Sequence, residues 1–134
     1  GNINKEEFIF MYKVLLVGSG GFIGASVRYL ISVGSTKWFK TDFPLATMMC
    51  NVLGAVLIGF VMHLGLKSII SPDYKIFLTT GLLGGLTTFS TFSFETVSLF
   101  QSGRYFFCII NIILNLTLCL AGVWLGTLFG KYVV

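Results

Sequence analysis

The segment from Gly81 to Glu95 carries the densest group of glycine and hydroxyl residues in the chain. It contains the adjacent pair Gly84 and Gly85, followed by β-branched and hydroxyl residues, a combination that forms helix poorly. Inside a bilayer, a broken helix is tolerated only where protein or water satisfies the freed backbone groups. The carbonyls exposed at such a break can bind a cation. The segment therefore predicts a helix that breaks at the glycine pair and offers carbonyl ligands there.

Two phenylalanines in this segment have the spacing of a site for an anion. Phe89 and Phe92 are three residues apart, so a helical continuation places both rings on one face. The edge of an aromatic ring carries positive quadrupole density, and Ser90 between them supplies a hydroxyl donor. A small anion that has lost part of its water shell could be stabilised there. Taken singly, each phenylalanine is more often a core or lipid-facing residue, so only the combination indicates a site.

Five further polar side chains within apolar stretches each have a structural and a functional interpretation. Arg28 either reaches a partner or the membrane surface, or attracts anions in a vestibule. Asn51 either forms an interhelical hydrogen bond or donates its amide to a passing anion. Glu95 is either a structural hydrogen-bonding group or a site for a proton or cation. Asn111 and Asn115 lie one turn apart, and share a face either as pore lining or as interhelical clasps.

These residues have to be positioned by membrane-spanning helices. Of the 134 residues 55% are hydrophobic and only 10% are charged, against about 25% charged in ordinary soluble domains. This composition excludes a soluble globular domain and a disordered chain. Four apolar runs reach the roughly 20 residues that a spanning helix needs. They predict an all-α integral membrane protein with four transmembrane helices at residues 14–33, 43–66, 76–100 and 106–130.

The domain organisation follows from the length of the chain. Residues 1–10 precede Met11, which could be the natural start, and are interpreted as an N-terminal tail that was added to the chain and lies outside the fold. Residues 11–134 form a single four-helix transmembrane domain. A lone four-helix bundle has a packed interior, so a transport path is expected to form between copies of the chain.

The basic residues outside the spans are divided almost evenly between the two membrane faces. The face with both termini and the second loop carries Lys5, Lys13, Lys67, Lys75 and Lys131. The other face carries Lys37, Lys40 and Arg104, with Arg28 in addition if it reaches outward. Because the bias of Lys and Arg in loops sets orientation, this weak bias predicts either insertion in both orientations or one orientation that the count does not resolve.

The glycines near the N-terminus allow two interpretations. Gly18, Gly21 and Gly24 follow a short apolar run with the spacing of a dinucleotide-binding loop. The long apolar runs that follow cannot build the sheet which that loop requires. Gly20 and Gly24 are four residues apart, as are Gly21 and Ala25, which is the small-residue pattern of close helix packing in membranes. The packing interpretation is favoured.

Several runs of residues together resemble a known family. They are Thr79-Thr80-Gly81 with Gly84-Gly85-Leu86-Thr87-Thr88-Phe89-Ser90-Thr91-Phe92-Ser93-x-Glu95, then Gly20-Gly21-x-x-Gly24-Ala25-x-x-Arg28-Tyr29, Thr47-x-x-x-Asn51-x-x-Gly54 and Trp124-Leu125-Gly126. These runs resemble the motifs of the small bacterial fluoride channels, the CrcB or Fluc family. The resemblance extends over essentially the whole chain from Met11. The fourth span departs from it, because Asn115 and Cys119 stand where the family usually carries hydroxyl residues.

The resemblance implies a fluoride-selective ion channel, and not an enzyme, that gives passive electrogenic fluoride efflux and fluoride resistance. It also implies an antiparallel dual-topology homodimer with two pores. Such a protein is a multi-pass protein of the bacterial inner (plasma) membrane, with fluoride, the lipid bilayer and a second copy as partners and no nucleic acid.

The resemblance further implies roles for individual residues. The fluoride pore would contain Phe89, Phe92, Asn51, Ser90, Glu95, Asn111 and Asn115, and Arg28 would lie in a vestibule. The backbone carbonyls of Gly84 and Thr87 would bind a structural sodium ion at the dimer interface.

Two other functions compete with the channel. A small dual-topology, proton-coupled exporter of drugs or cations requires a central carboxylate, usually in its first helix. Here the first span contains Arg28 and no acidic residue, which argues against that function. A membrane assembly subunit without transport activity would leave the glycine, threonine and phenylalanine segment without a purpose.

Overall fold

The computed structural model describes all 134 residues, and all of its regular elements are helices. In chain order the elements are α1 (Lys5–Trp38), α2 (Leu45–Leu66), α3 (Pro72–Ile76), a π-helical segment (Phe77–Leu83), α4 (Gly84–Leu86), α5 (Phe89–Gln101) and α6 (Tyr105–Val133). Four stretches are long and apolar enough to cross a membrane: α1, α2, the interrupted span Pro72–Gln101, and α6. The prediction of four spanning helices is confirmed.

The first helix begins well before the predicted start of its span at residue 14. Asn4 caps it, since its side chain accepts a hydrogen bond from the backbone N–H of Glu7 at 2.8 Å. The Glu7 carboxylate accepts the N–H of Asn4 at 3.1 Å in return, which completes a capping box. Lys5–Phe10, which the sequence places in a tail, are therefore helical. Hydropathy marks the apolar run, whereas the cap determines where the helix starts.

The third span is interrupted, as predicted, but the interruption lies C-terminal to the glycine pair. Gly84 and Gly85 are helical and belong to α4. The extended residues are Thr87, with φ −87° and ψ 155°, and Thr88, with φ −152° and ψ 117°. β-Branched residues favour extended backbone, and Thr88 caps α5 by accepting the N–H of Thr91 at 3.1 Å. The prediction that the break falls at the glycines is wrong by this short distance.

The glycines of α1 and of the third span allow the two backbones to touch. A Cβ added to Gly24 would lie 2.0 Å from the carbonyl oxygen of Leu82, and one added to Gly20 would lie 2.6 Å from that of Phe77. Gly85 is equally close to α1, because its Cβ would lie 2.6 Å from the carbonyl oxygen of Gly21. Small residues at such contacts are typical of membrane helix packing. The packing interpretation of these glycines is confirmed.

The second and fourth spans form the most extensive helix pair in the fold, α2 against α6. A Cβ added to Gly126 would lie 2.0 Å from the carbonyl oxygen of Val56. On α2, one added to Gly59 would lie 2.2 Å from the carbonyl oxygen of Val123. This close approach brings the polar side chains of α2 and α6 within reach of each other and of the break in the third span.

Candidate functional site

Phe89 and Phe92 lie on one face of α5, as their spacing predicts. Their ring centroids are 5.5 Å apart, with 49° between the ring planes. Phe92 is 8% exposed, whereas Phe89 is 74% exposed. Both rings line a cavity of about 370 Å³ together with Asn51, Thr88 and other residues of α2, the break and α6. The cavity therefore combines aromatic rings with amide and hydroxyl groups, which is the composition expected of a site for a small anion.

The break frees two carbonyls of the third span from their helical hydrogen bonds. In a continuous helix the N–H of Thr88 would bond to the carbonyl of Gly84, but here it donates to Oδ1 of Asn51 at 2.8 Å. The N–H of Thr91 would likewise bond to the carbonyl of Thr87, but it donates to Oγ1 of Thr88 at 3.1 Å. Gly84 and Thr87, the residues that the resemblance selects as sodium ligands, thus lack their helical donors. Carbonyls freed in this way suit a hard cation.

Asn51 connects α2 to the break. Besides accepting the N–H of Thr88, its Nδ2 donates to the carbonyl oxygen of Thr88 at 3.2 Å and to Oδ1 of Asn115 at 3.3 Å. The structure therefore shows the interhelical hydrogen bond that is one of the two interpretations of this residue. Because Asn51 also lines the cavity beside the phenylalanines, its donation to an anion stays a prediction.

Asn111 and Asn115 lie on one buried face of α6. Nδ2 of Asn115 donates to Oδ1 of Asn111 at 2.8 Å and to the Asn111 carbonyl oxygen at 3.0 Å. Nδ2 of Asn111 donates to Oγ1 of Thr96 on α5 at 2.9 Å. Asn115 lines the phenylalanine cavity, but Asn111 does not and is only 1% exposed. Asn115 therefore joins α6 to α2 and Asn111 joins α6 to α5. These are the interhelical clasps that are one of the two interpretations of this pair.

Glu95 lies in a second, wider cavity, apart from the phenylalanines. This cavity has a volume of about 1090 Å³ and opens between the α1–α2 connection, α2 and α5. The hydroxyl of Thr47 on α2 donates to the Glu95 carboxylate. An ion pair between Arg104 and Asp42 lies among the residues that line it. Of the predicted pore residues, Asn51, Phe89, Phe92 and Asn115 line the phenylalanine cavity, whereas Glu95 lines this wide cavity.

Arg28 and Ser90 both lie next to the break. Nε of Arg28 donates to the carbonyl oxygen of Gly85 at 3.1 Å, so this half-buried side chain has a partner in the third span. It lines neither of the two cavities, and its vestibule role stays a prediction. The Ser90 hydroxyl is exposed and lies 3.2 Å from Oγ1 of Thr88. It does not line the phenylalanine cavity.

Thr88 and Thr96 have structural roles that the sequence analysis does not predict. Thr88 caps α5 and bonds to Asn51 through its backbone, and Thr96 joins α5 to Asn111. A threonine directly before a helix is a common N-cap signal and would have identified Thr88. Nothing in the sequence marks Thr96, because its partner depends on how α5 and α6 are rotated against each other.

Comparison of the sequence with known proteins identifies relatives of this chain. The family model described as CrcB-like protein, Camphor Resistance (CrcB), matches residues 15–127. The fluoride-specific ion channel FluC of Clostridium novyi (strain NT) is 50% identical over 120 residues, which cover 89% of this chain and 94% of the relative. The protein of the same name from Clostridium perfringens (strain 13 / Type A) is 54% identical over 113 residues, with 84% and 88% covered. That from Shewanella oneidensis is 50% identical over 116 residues, with 87% and 94% covered.

Proposed function

The chain belongs to the CrcB family, and on that premise we propose that it is a fluoride-specific ion channel. The observation that carries this function is its identity of about 50% to fluoride-specific channels over nearly their whole length. The activity is passive and electrogenic fluoride efflux, which gives the cell resistance to fluoride. The chain is a multi-pass protein with four membrane-spanning helices, and because its relatives are bacterial we assign it to the bacterial inner membrane.

The phenylalanine cavity is the proposed fluoride pathway. Fluoride must shed water to enter it, and the ring edges of Phe89 and Phe92 would replace part of that hydration. The Asn51 amide and the Ser90 hydroxyl are proposed to assist as donors. Nδ2 of Asn51 already donates to the Thr88 carbonyl and to Asn115, so it would have to release one of these bonds to the ion. Ions would then continue toward the wide cavity, where Thr47 and Glu95 lie. Larger halides are disfavoured, because a site fitted to a small dehydrated ion stabilises them less.

The functional unit is proposed to be an antiparallel dual-topology homodimer with two pores. Phe89 is 74% exposed in the single chain, and an aromatic ring proposed to contact the ion requires cover from a second copy. The nearly even division of basic residues between the membrane faces supports insertion in both orientations. Antiparallel pairing would give two equivalent pores related by a twofold axis.

A structural sodium ion is proposed at the centre of this dimer. The carbonyls of Gly84 and Thr87 lack their helical donors, and two copies would contribute four such oxygens. Oxygen ligands from unwound membrane helices are the usual environment for Na⁺. The ion would satisfy the acceptor oxygens of the freed carbonyls and would hold the two broken spans together.

A flux assay tests the channel function directly. Purified protein in liposomes loaded with fluoride is expected to release it when a potassium ionophore dissipates the electrical potential. A fluoride electrode measures the release, and a parallel chloride measurement is expected to show little movement. No imposed proton gradient should be needed. Equal chloride flux would contradict a fluoride-selective channel. Flux that requires a proton gradient would also contradict the channel, and it alone would favour a proton-coupled mechanism.

Cysteine labelling tests the two orientations. Lys67→Cys places a thiol in the α2–α3 connection and Lys40→Cys places one in the α1–α2 connection, on opposite membrane faces. Each is made in a Cys119→Ser background, because Cys119 is only partly buried whereas Cys50 and Cys108 are buried. A membrane-impermeant maleimide added to intact cells is expected to label about half of each variant. Complete labelling of one variant and none of the other would establish a single orientation.

A further inference from the structure

A series of hydrogen bonds begins at Thr88, the N-cap of α5, passes through α2 and α6, and ends on α5. It starts at the Thr88 N–H, and its members beyond that are the side chains of Asn51, Asn115, Asn111 and Thr96 and the carbonyl of Phe92. The donor–acceptor distances along it are 2.8, 3.3, 2.8, 2.9 and 2.7 Å. We call this series the amide ladder. It braces the first turns of α5, the part of the helix that carries both pore phenylalanines.

The ladder has one direction, and backbone groups fix it. The Thr88 N–H can only donate, so Asn51 must present Oδ1 to it and turn Nδ2 toward Asn115. The Asn111 carbonyl can only accept, so Asn115 must present Nδ2 to it and turn Oδ1 toward Asn51. Each amide therefore has a single orientation that satisfies its neighbours. We call each hydrogen bond of the ladder a rung. Removing one partner of a rung leaves a buried donor or acceptor of the neighbouring side chain unpaired.

The far end of the ladder lies away from the proposed ion pathway. Asn111 is 1% exposed and Thr96 is 9% exposed, and neither lines the phenylalanine cavity or the wide cavity. The two N–H groups of Asn115 are both used within α6, on the side chain and the carbonyl of Asn111. A passing anion would find no available donor on Asn115 in this arrangement, and no path to Asn111.

We propose that Asn111 and Thr96 are positioning residues of the channel, which act through Asn115 and Asn51 on the break and on Phe92. The inference rests on the proposed fluoride conduction. It assigns to Asn111 a different role from that of a fluoride ligand, since its side chain orients the ladder and does not meet the ion. The consequence for function is selectivity, because a loosened α5 no longer presents its rings in the geometry that suits fluoride.

Thr96→Val tests the proposal at the rung that lies outside both cavities. Valine has the shape of threonine but cannot accept the Asn111 N–H, so a buried donor is left unpaired. We expect the fluoride flux per assembled dimer to fall about tenfold, and the fluoride-to-chloride flux ratio to fall with it. Thr96→Ser retains the hydroxyl and should conduct nearly as the wild type does. Thr117→Val is the matched control on α6, because the exposed Thr117 hydroxyl bonds only to the Ile113 carbonyl in its own helix.

A double-variant cycle separates positioning from general destabilisation. Asn111→Leu and Thr96→Val remove the two sides of one rung, so the double variant is expected to conduct no worse than Asn111→Leu alone. Additive losses in flux and an unchanged flux ratio would indicate destabilisation only, and would overturn the proposal. Normal flux in Thr96→Val with complete loss in Asn111→Leu would instead identify Asn111 as a fluoride ligand. Each variant is compared as assembled dimers of wild-type size, so that a folding failure is recognised.

The fluoride flux of the wild type distinguishes failure of the proposed channel function from failure of the ladder proposal. If wild-type liposomes release no fluoride, the proposed function fails before the ladder is tested. If the wild type conducts and Thr96→Val matches it in flux and selectivity, the channel stands and the ladder proposal fails.

Discussion

Replacing Phe92 with isoleucine is expected to abolish fluoride flux or to slow it on the order of a hundredfold, the loss typical of removing one preorganised group that stabilises an anion in a water-excluded site. Phe92 is the buried member of the pair, and its ring faces the cavity at 5.5 Å from that of Phe89. Isoleucine has no ring edge with positive quadrupole density. It leaves a dehydrated fluoride facing hydrocarbon, which stabilises the ion far less than water does.

The same substitution is expected to leave the fold intact. Isoleucine is apolar and occupies much of the volume of phenylalanine, so the cost in stability should be roughly 1 kcal/mol. Size-exclusion chromatography in detergent should therefore show assembled protein at the wild-type elution volume. The flux assay in liposomes then reports on the pore itself.

Phe100→Ile is the matched control for this experiment. Phe100 lies on the same helix, is 59% exposed and lines neither cavity. It packs edge-on against Tyr105, with ring centroids 5.3 Å apart, so it has an aromatic neighbour as Phe92 does. This variant should conduct as the wild type does. Normal flux in Phe92→Ile would mean that the ion passes elsewhere and that the cavity is misassigned.

The sequence alone predicted the parts of the fold that depend on local composition. Four long apolar runs are sufficient to predict four spans, because each run is long enough to cross a bilayer as a helix. The break in the third span was predictable because glycine and β-branched residues weaken a helix together. Its position was not, since Gly84 and Gly85 are used for close approach to α1 whereas Thr87 and Thr88 adopt extended backbone.

The sequence does not predict which polar side chains on different helices contact each other. In a soluble helix the apolar stripe reveals which face is buried, but membrane helices are apolar on nearly every side. The rotation of α6 that turns Asn111 toward Thr96 therefore leaves no periodic signal. Glu95 and Phe92 are three residues apart and would share a face of an ideal helix. They nevertheless line different cavities, because α5 lies between the phenylalanine cavity and the wide cavity. Only the packed structure distinguishes a clasp from a pore-lining residue.

Gly24→Ala is expected to prevent assembly of most of the protein, although it adds a single methyl group. The new Cβ would lie 2.0 Å from the carbonyl oxygen of Leu82 and 2.8 Å from the backbone nitrogen of Leu86. Both neighbours are backbone atoms, so no side-chain rotation relieves the contact, and α1 must move away from the third span. Such overpacking costs about 3 kcal/mol where backbone atoms must separate, a large part of the marginal stability of a small domain. The folded fraction is measured by detergent size-exclusion and thermal unfolding.

The displacement of α1 would also affect the pore, because α1 carries Arg28 to the carbonyl of Gly85 next to the break. Any Gly24→Ala protein that does assemble should therefore conduct poorly. Gly18→Ala is the control in the same helix, since a Cβ at Gly18 meets nothing within 4 Å. Alanine there should be neutral or slightly stabilising, because it favours helix over glycine by about 1 kcal/mol. Equal stability of the two variants would show that α1 does not rest on the π-helical segment through Gly24.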